Sequence, residues 1–152
     1  MNTKHSFKAQ LNWQKEVKAN TNQISKSHAI SIKGKPDLAV SAAKAFKGDS
    51  ALYNPEDLLL SSLMSCHMMS YLYCCAVEKI TVVSYKDHAE AILETKSDGS
   101  GRITKVTLHP EVIIAEPEKV ELALALHNKA NQLCFIANSC NFEVEHKAKV
   151  GV

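Results

Sequence analysis

Phe7, Ala9, Leu11 and Trp13 alternate with Ser6, Lys8, Gln10 and Asn12, which is the period-two pattern of a half-buried strand. A second strand is expected in "HAISIKG", with Ile30 and Ile32 inward and Gly34 and Pro36 closing it. From Pro36 to Tyr53 the pattern is weak, and "FKGDSALY" predicts a loop. The chain then enters "NPEDLLLSSLMSCHMMSYLYCC". Asn54 suits an N-cap, Pro55 the first helical position, and Glu56 with Asp57 complement the helix dipole. No breaker follows before Thr81, so one helix is predicted from Pro55 to about Lys79, about 38 Å long at the usual rise.

Two long strands come next, "ITVVSYKDHAEAILE" and "RITKVTLHPEVII", joined by a hairpin turn at "SDGSG" (Ser97 to Gly101). In the second, Val106, Leu108, Pro110, Val112 and Ile114 alternate with Lys105, Thr107, His109 and Glu111. A second helix is expected from Pro117 to about Leu133, and "FEVEHKAKV" alternates from Phe142 to Val150 as a last strand. The predicted order is β-β-α-β-β-α-β: one α+β domain over residues 1–152, with antiparallel sheets and no repeats or linkers.

The long helix is the distinctive element. From Leu58 to Val77 it carries no acid, Lys or Arg, yet it holds four serines and His67. It has the length of a membrane span, but those polar residues sit mid-span and the flanking strands are amphipathic, which argues for a buried helix instead. A helix that is apolar nearly all round needs cover on every side. A domain of 152 residues struggles to supply that alone, so a second copy of the chain is expected to cover part of it.

Charge excludes other classes. The net charge is +2 and Arg102 is the only arginine, so neither nucleic acid nor an anionic membrane is an expected partner. Five cysteines (Cys66, Cys74, Cys75, Cys134 and Cys140), an odd number in a chain large enough to fold without disulfides, argue against a secreted disulfide scaffold. The first residues, "MNTKHSFKAQLNW", hold no apolar signal region. A reducing cytosol is the expected compartment, where paired cysteines carry redox or metal chemistry.

Cys66 lies mid-helix, with Ser62 and Leu63 one turn before it and Met69 and Ser70 one turn after. Cys74 and Cys75 read as small core hydrophobes. Zinc is disfavoured: Cys66 and His67 diverge by roughly 100° on a helix, and the chain has no CxxC or HxxxH pair. His127 falls on a stripe with Val120, Leu124 and Cys134 and reads as a packing histidine. Two helices that each bring one thiol to a shared core would allow a reversible disulfide.

"NPEDLLLSSLMSCHMMSYL" and "LHNKANQLCFIANSCNFEVE" together resemble the OsmC/Ohr family of thiol-dependent peroxidases, closer to its OsmC-like branches. The similarity covers nearly the whole chain. It implies an entwined homodimer with two long helices at its centre and sheets outside. It also implies that Cys66 is the attacking cysteine, that Cys134 resolves it, and that Glu56 serves the site. Glu56 and Cys66 are ten residues apart, about 15 Å along one helix, so Glu56 is expected to come from the opposite subunit. The family places an arginine ahead of N-P-E. This chain has none there, and Lys47 is the nearest cationic stand-in, without the guanidinium fork.

The implied reaction is reduction of an organic hydroperoxide to an alcohol through a Cys66 sulfenic acid, with Cys134 closing a disulfide that an external dithiol reopens. In the Ohr branch that dithiol is a lipoyl group. Lys47, Leu63, His67, Met69 and Phe135 are the expected substrate-binding residues, and no cofactor or metal is needed. Two alternatives stand beside it. One is a non-catalytic dimeric protein that binds a ligand in the apolar interface pocket, for which the absent arginine speaks. The other is a hydrolase with Cys66 as nucleophile and His127 as base.

Overall fold

The computed structural model describes residues 3–15 and 24–152. It divides into one unit ending at Leu58 and another running from Leu59 to Val152. In the first unit β1 (Gln10–Asn12), β2 (His28–Ser31) and β3 (Leu38–Val40) pair antiparallel in that order. The strand expected over residues 6–13 is therefore shorter, and its apolar side lies open, Phe7 and Leu11 being exposed. β3 falls where the sequence pattern gave no signal, because three residues are too few to display a period.

The loop after β3 is tightly wound. A 3-10 turn (Lys44–Phe46) ends at Lys47, which adopts a left-handed φ of 59°. The Gly48 amide donates to the Ala43 carbonyl, and a Cβ on Gly48 would collide with the Ala42 carbonyl, so only glycine fits there. Asn54 then opens the long helix with a reciprocal cap. Its Oδ1 accepts from the Asp57 amide at 2.9 Å, while Asp57 Oδ2 accepts from the Asn54 side-chain amide at 2.7 Å.

The helix, α1, spans Pro55–Val77. It stops two residues short of the predicted end because Lys79 turns left-handed (φ 54°). The Ile80 amide reaches back to the Cys75 carbonyl and the Lys79 amide to that of Ala76, the hydrogen-bond pattern of a Schellman cap. Lys119 Nζ adds a cation at this end by donating to the Glu78 and Lys79 carbonyls.

Each of the three long strands predicted after α1 is bent into two. The first gives β4 (Val82–Asp87) and β5 (Glu90–Thr95), the second β6 (Gly101–Leu108) and β7 (Pro110–Ile114), and the third β8 (Glu143–His146) and β9 (Lys149–Gly151). The halves sort into two sheets, β4-β7-β9 and β5-β6-β8. The corner is pinned where the Asp87 carboxylate accepts from the His109 amide at 2.7 Å and the Lys147 amide donates to the Leu108 carbonyl at 2.8 Å. Pro110, just past the bend, has no N–H to leave unpaired. The hairpin at Ser97 to Gly101 forms as expected, with Gly99 at φ 84°.

The sheets are mixed rather than wholly antiparallel: β8 pairs parallel to β6, and β9 parallel to β7. The cause is the crossover through α2 (Val120–Leu133), since a helical connection returns the chain in the same direction. Each sheet has its own apolar cluster. Val112, Ile114 and Ile80 gather with Tyr71 and Cys75 of α1 and Ala123 and Ala130 of α2. Ile103, Val106 and Leu108 gather with Leu59, Leu60, Leu63 and Met64 of α1. One end of α1 thus serves one cluster and the other end serves the second.

Candidate functional site

Helical spacing sets Cys66, Met69, Ser70 and Tyr73 on one face of α1. With Leu133 and Phe135 they line a cavity of about 390 Å³. Its rim is apolar and open, Phe135 being 80% exposed, Tyr73 65% and Met69 57%. Cys66 is half-buried in the wall.

Cys134 caps α2 in an extended conformation (φ −72°, ψ 106°), where the helix has stopped and the side chain turns inward. It is 1% exposed, and its sulfur accepts from the Ala137 amide at 3.4 Å. Burial, and then the neighbouring Cys66 thiol, push Cys134 up to about 11, so it is a protonated thiol at neutral pH. The two cysteines of the sequence pattern are therefore neighbours, one open to the cavity and one shut away behind it.

Met69 and Phe135, expected at the substrate site, line this cavity with Cys66. Leu63 does not. It is buried in the apolar cluster of the β5-β6-β8 sheet, because its position on α1 faces the sheet. His67 also turns inward: its Nε2 lies 3.0 Å from His127 Nδ1 in a fully buried hydrogen bond. Lys47 is exposed in the loop of the first unit. Glu56 is half-buried in the first turn of α1, and its Oε2 is buried without a hydrogen-bond partner.

His127 sits on a different stripe from the one expected. Leu124 is 45% exposed, and the inward face is Ala123, His127, Ala130 and Cys134. The small alanines let the α2 backbone approach closely and leave room for the imidazole. His146, at the end of β8, completes a cluster that sequence reasoning missed, with its ring centroid 5.5 Å from that of His67 and 6.0 Å from that of His127. Tyr71 stacks on His127 at 3.9 Å. Burial, and after it the other histidines, lower His67 to about 4 and His127 to about 3, so both rings are neutral at pH 7. Among the described residues no group of three or more His, Cys, Asp or Glu side chains is placed to hold a metal ion. Ser70, Tyr73 and Leu133 were legible as lining residues only once Cys66 and Cys134 were chosen, since each lies within two turns of one of them.

The model of the OsmC-like protein family matches residues 47–149, a span holding Asn54-Pro55-Glu56 and both cysteines. The chain belongs to the OsmC-like family. A solved OsmC-like protein of unknown function from Vibrio cholerae is 30% identical, covers 95% of this chain and 99% of its own, and superposes with a TM-score of 0.85. The fold is shared more distantly with two organic hydroperoxide resistance proteins. The one from Elizabethkingia anophelis, with thiocyanate bound, has 19% identity, 99% coverage of both chains and a TM-score of 0.71. The one from Bacillus subtilis has 21% identity, coverage of 95% and 98%, and a TM-score of 0.63. No curated protein matches the chain. As in these relatives, the OsmC-like architecture here is mixed α+β.

Proposed function

We propose that the protein reduces organic hydroperoxides to alcohols with Cys66 and Cys134 as its redox pair. One observation carries the reading: Cys66 opens into an apolar cavity while Cys134, its neighbour, is buried directly behind it. The Cys66 thiolate attacks the terminal peroxide oxygen. The O–O bond breaks, the alkoxide takes a proton and leaves as alcohol, and Cys66 becomes a sulfenic acid. The Cys134 thiol then condenses with that sulfenic acid, forming a disulfide and releasing water. An external dithiol reduces the disulfide by two exchanges and is itself oxidised to its disulfide.

The cavity wall of Met69, Tyr73, Leu133 and Phe135 favours an apolar alkyl or aryl group on the peroxide. The active form in this reading is a homodimer in a reducing cytosol. Met69, Leu72, Tyr73 and Val77 expose an apolar strip on α1 that a second copy would cover. Glu56 then serves the Cys66 of the opposite subunit, and Lys47 takes the place of the family arginine.

A second reading is a ligand-binding OsmC-like protein without turnover, favoured by the absence of an arginine before Arg102. The hydrolase alternative has less support, because the hydrogen bond His127 makes is to His67 and its other ring nitrogen is buried without a partner. A thiol count before and after one equivalent of cumene hydroperoxide separates the first two. Rapid loss of two thiols per chain is the expected result, whereas no loss selects the binding protein.

A further inference from the structure

His67 and His127 hold the only sequence-distant side-chain hydrogen bond among the described residues that is fully buried, and the redox cycle above gives them no chemical step. Their placement relative to the thiols is specific. On α1, His67 directly follows Cys66, so the two share one level of the helix and diverge by roughly 100°. On α2, His127 precedes Cys134 by seven residues, two turns, or about 10 Å along the axis. The same level of α1 therefore meets α2 at two separated points, imidazole to imidazole and sulfur to sulfur. Two such points fix both the rotation of α1 about its axis and the angle at which α2 crosses it.

We propose that the His67–His127 hydrogen bond is a positioning clamp that holds the Cys66 and Cys134 sulfurs in register for disulfide closure. The inference rests on the peroxidase cycle proposed above. Neither ring has another hydrogen bond: His67 Nδ1 and His127 Nε2 are buried without partners. The shared bond is thus the only polar link that orients either imidazole. One neutral ring donates and the other accepts, so the bond forms only with the rings edge to edge. Tyr71, stacked on His127, and His146, stacked on His67, keep the rings from turning. The leverage is large. A sulfur at the periphery of a helix lies about 5 Å from its axis, so a 10° roll of α1 carries Cys66 roughly 0.9 Å off line. Displacements of that size are enough to slow reactions between positioned groups.

A mere space-filling role would be met equally by any flat ring, and that difference is testable. His127→Phe keeps the ring but cannot hydrogen-bond. His127→Asn places an amide nitrogen where Nδ1 was and keeps the link. His67→Phe/His127→Phe removes both partners together, leaves no orphaned imidazole, and so preserves the fold better than the single change. The readout is the Cys66–Cys134 thiol–disulfide equilibrium against glutathione in the full-length protein, quantified by thiol trapping and mass spectrometry. No peroxide enters this measurement.

His127→Phe and the double variant are expected to lower the equilibrium constant for disulfide closure about fivefold, the equivalent of one ordinary hydrogen bond. His127→Asn is expected to stay within about twofold of wild type. Phe variants that close the disulfide as readily as wild type overturn the clamp and leave the peroxidase reading intact. So does an Asn variant that falls as far as Phe. A wild-type protein that forms no Cys66–Cys134 disulfide at all overturns both.

Discussion

Acid should weaken the fold through two imidazoles. His67 and His127 titrate from 6.5 down to about 4 and about 3, first because burial excludes the charged ring and then because the other histidines repel it. Their folded values are depressed, so the unfolded chain binds more protons below its own value. The stability they confer is full above 6.5 and is lost as pH falls through 6.5 toward the folded values. At about pH 5 the folded rings are still neutral, while an unfolded histidine gains about 2 kcal/mol from protonation. The pair together should therefore remove about 4 kcal/mol between about pH 7.5 and 5, against a total stability of about 5–15 kcal/mol. This figure depends almost wholly on the unfolded value, because pH 5 lies above both folded ones.

Urea unfolding followed by circular dichroism, at fixed protein concentration, checks it. With a slope of about 2 kcal/mol per molar, the wild-type midpoint should fall by roughly 2 M over that range. The His67→Phe/His127→Phe variant supplies the control. His146, also lowered by burial, and Asp87, raised by it, titrate in both proteins, so they cancel largely in the comparison. Equal acid shifts in the two proteins would refute the assignment of buried neutral imidazoles.

Cys66→Ser should abolish hydroperoxide consumption, while Cys134→Ser should retain the first oxidation and then accumulate oxygen on the Cys66 peptide, visible by mass spectrometry. Equal consumption by wild type and Cys66→Ser would end the peroxidase reading. The reducing dithiol should attack Cys66 rather than Cys134, because Cys134 is 1% exposed and Cys66 faces the cavity. A mixed disulfide trapped with a monothiol should therefore map to Cys66, and one mapping to Cys134 would reverse the assignment. Asn54→Ala should cost about 1 kcal/mol of stability by opening the reciprocal cap of α1, measured by the unfolding midpoint. Gly48→Ala should cost more, since its Cβ has no room beside the Ala42 carbonyl; an unchanged midpoint would show that the loop can shift.

The start of α1 was legible because Asn54, Pro55 and two acids are local signals, and its end was misplaced by two residues because Lys79 adopts a conformation usual for glycine. The corner between the sheets left no trace in the pattern. Leu108, Pro110 and Val112 are all buried, so the alternation runs straight through the bend at His109. Parallel pairing of the last strand follows from the α2 crossover, which was visible in outline, but the expectation of antiparallel sheets hid it. At the site, Cys66 and Cys134 could be paired only through the family resemblance. The histidine cluster joins residues on α1, α2 and β8 that carry no shared local signature, and Leu124 misled because half its surface is open while the small Ala123 and Ala130 are the buried positions.

The bent strands bear on how this unit comes apart. Because β4 and β5, β6 and β7, and β8 and β9 are each one stretch of chain, neither sheet can lose its register without pulling on the other. α1 ties the two apolar clusters in the same way, through Leu63 at one and Tyr71 at the other. The two sheets are therefore expected to melt as a single cooperative block rather than as two foldons. In native-state hydrogen exchange, the amides of Val106 and Val112, on opposite sides of the corner, should share one opening free energy and one dependence on denaturant.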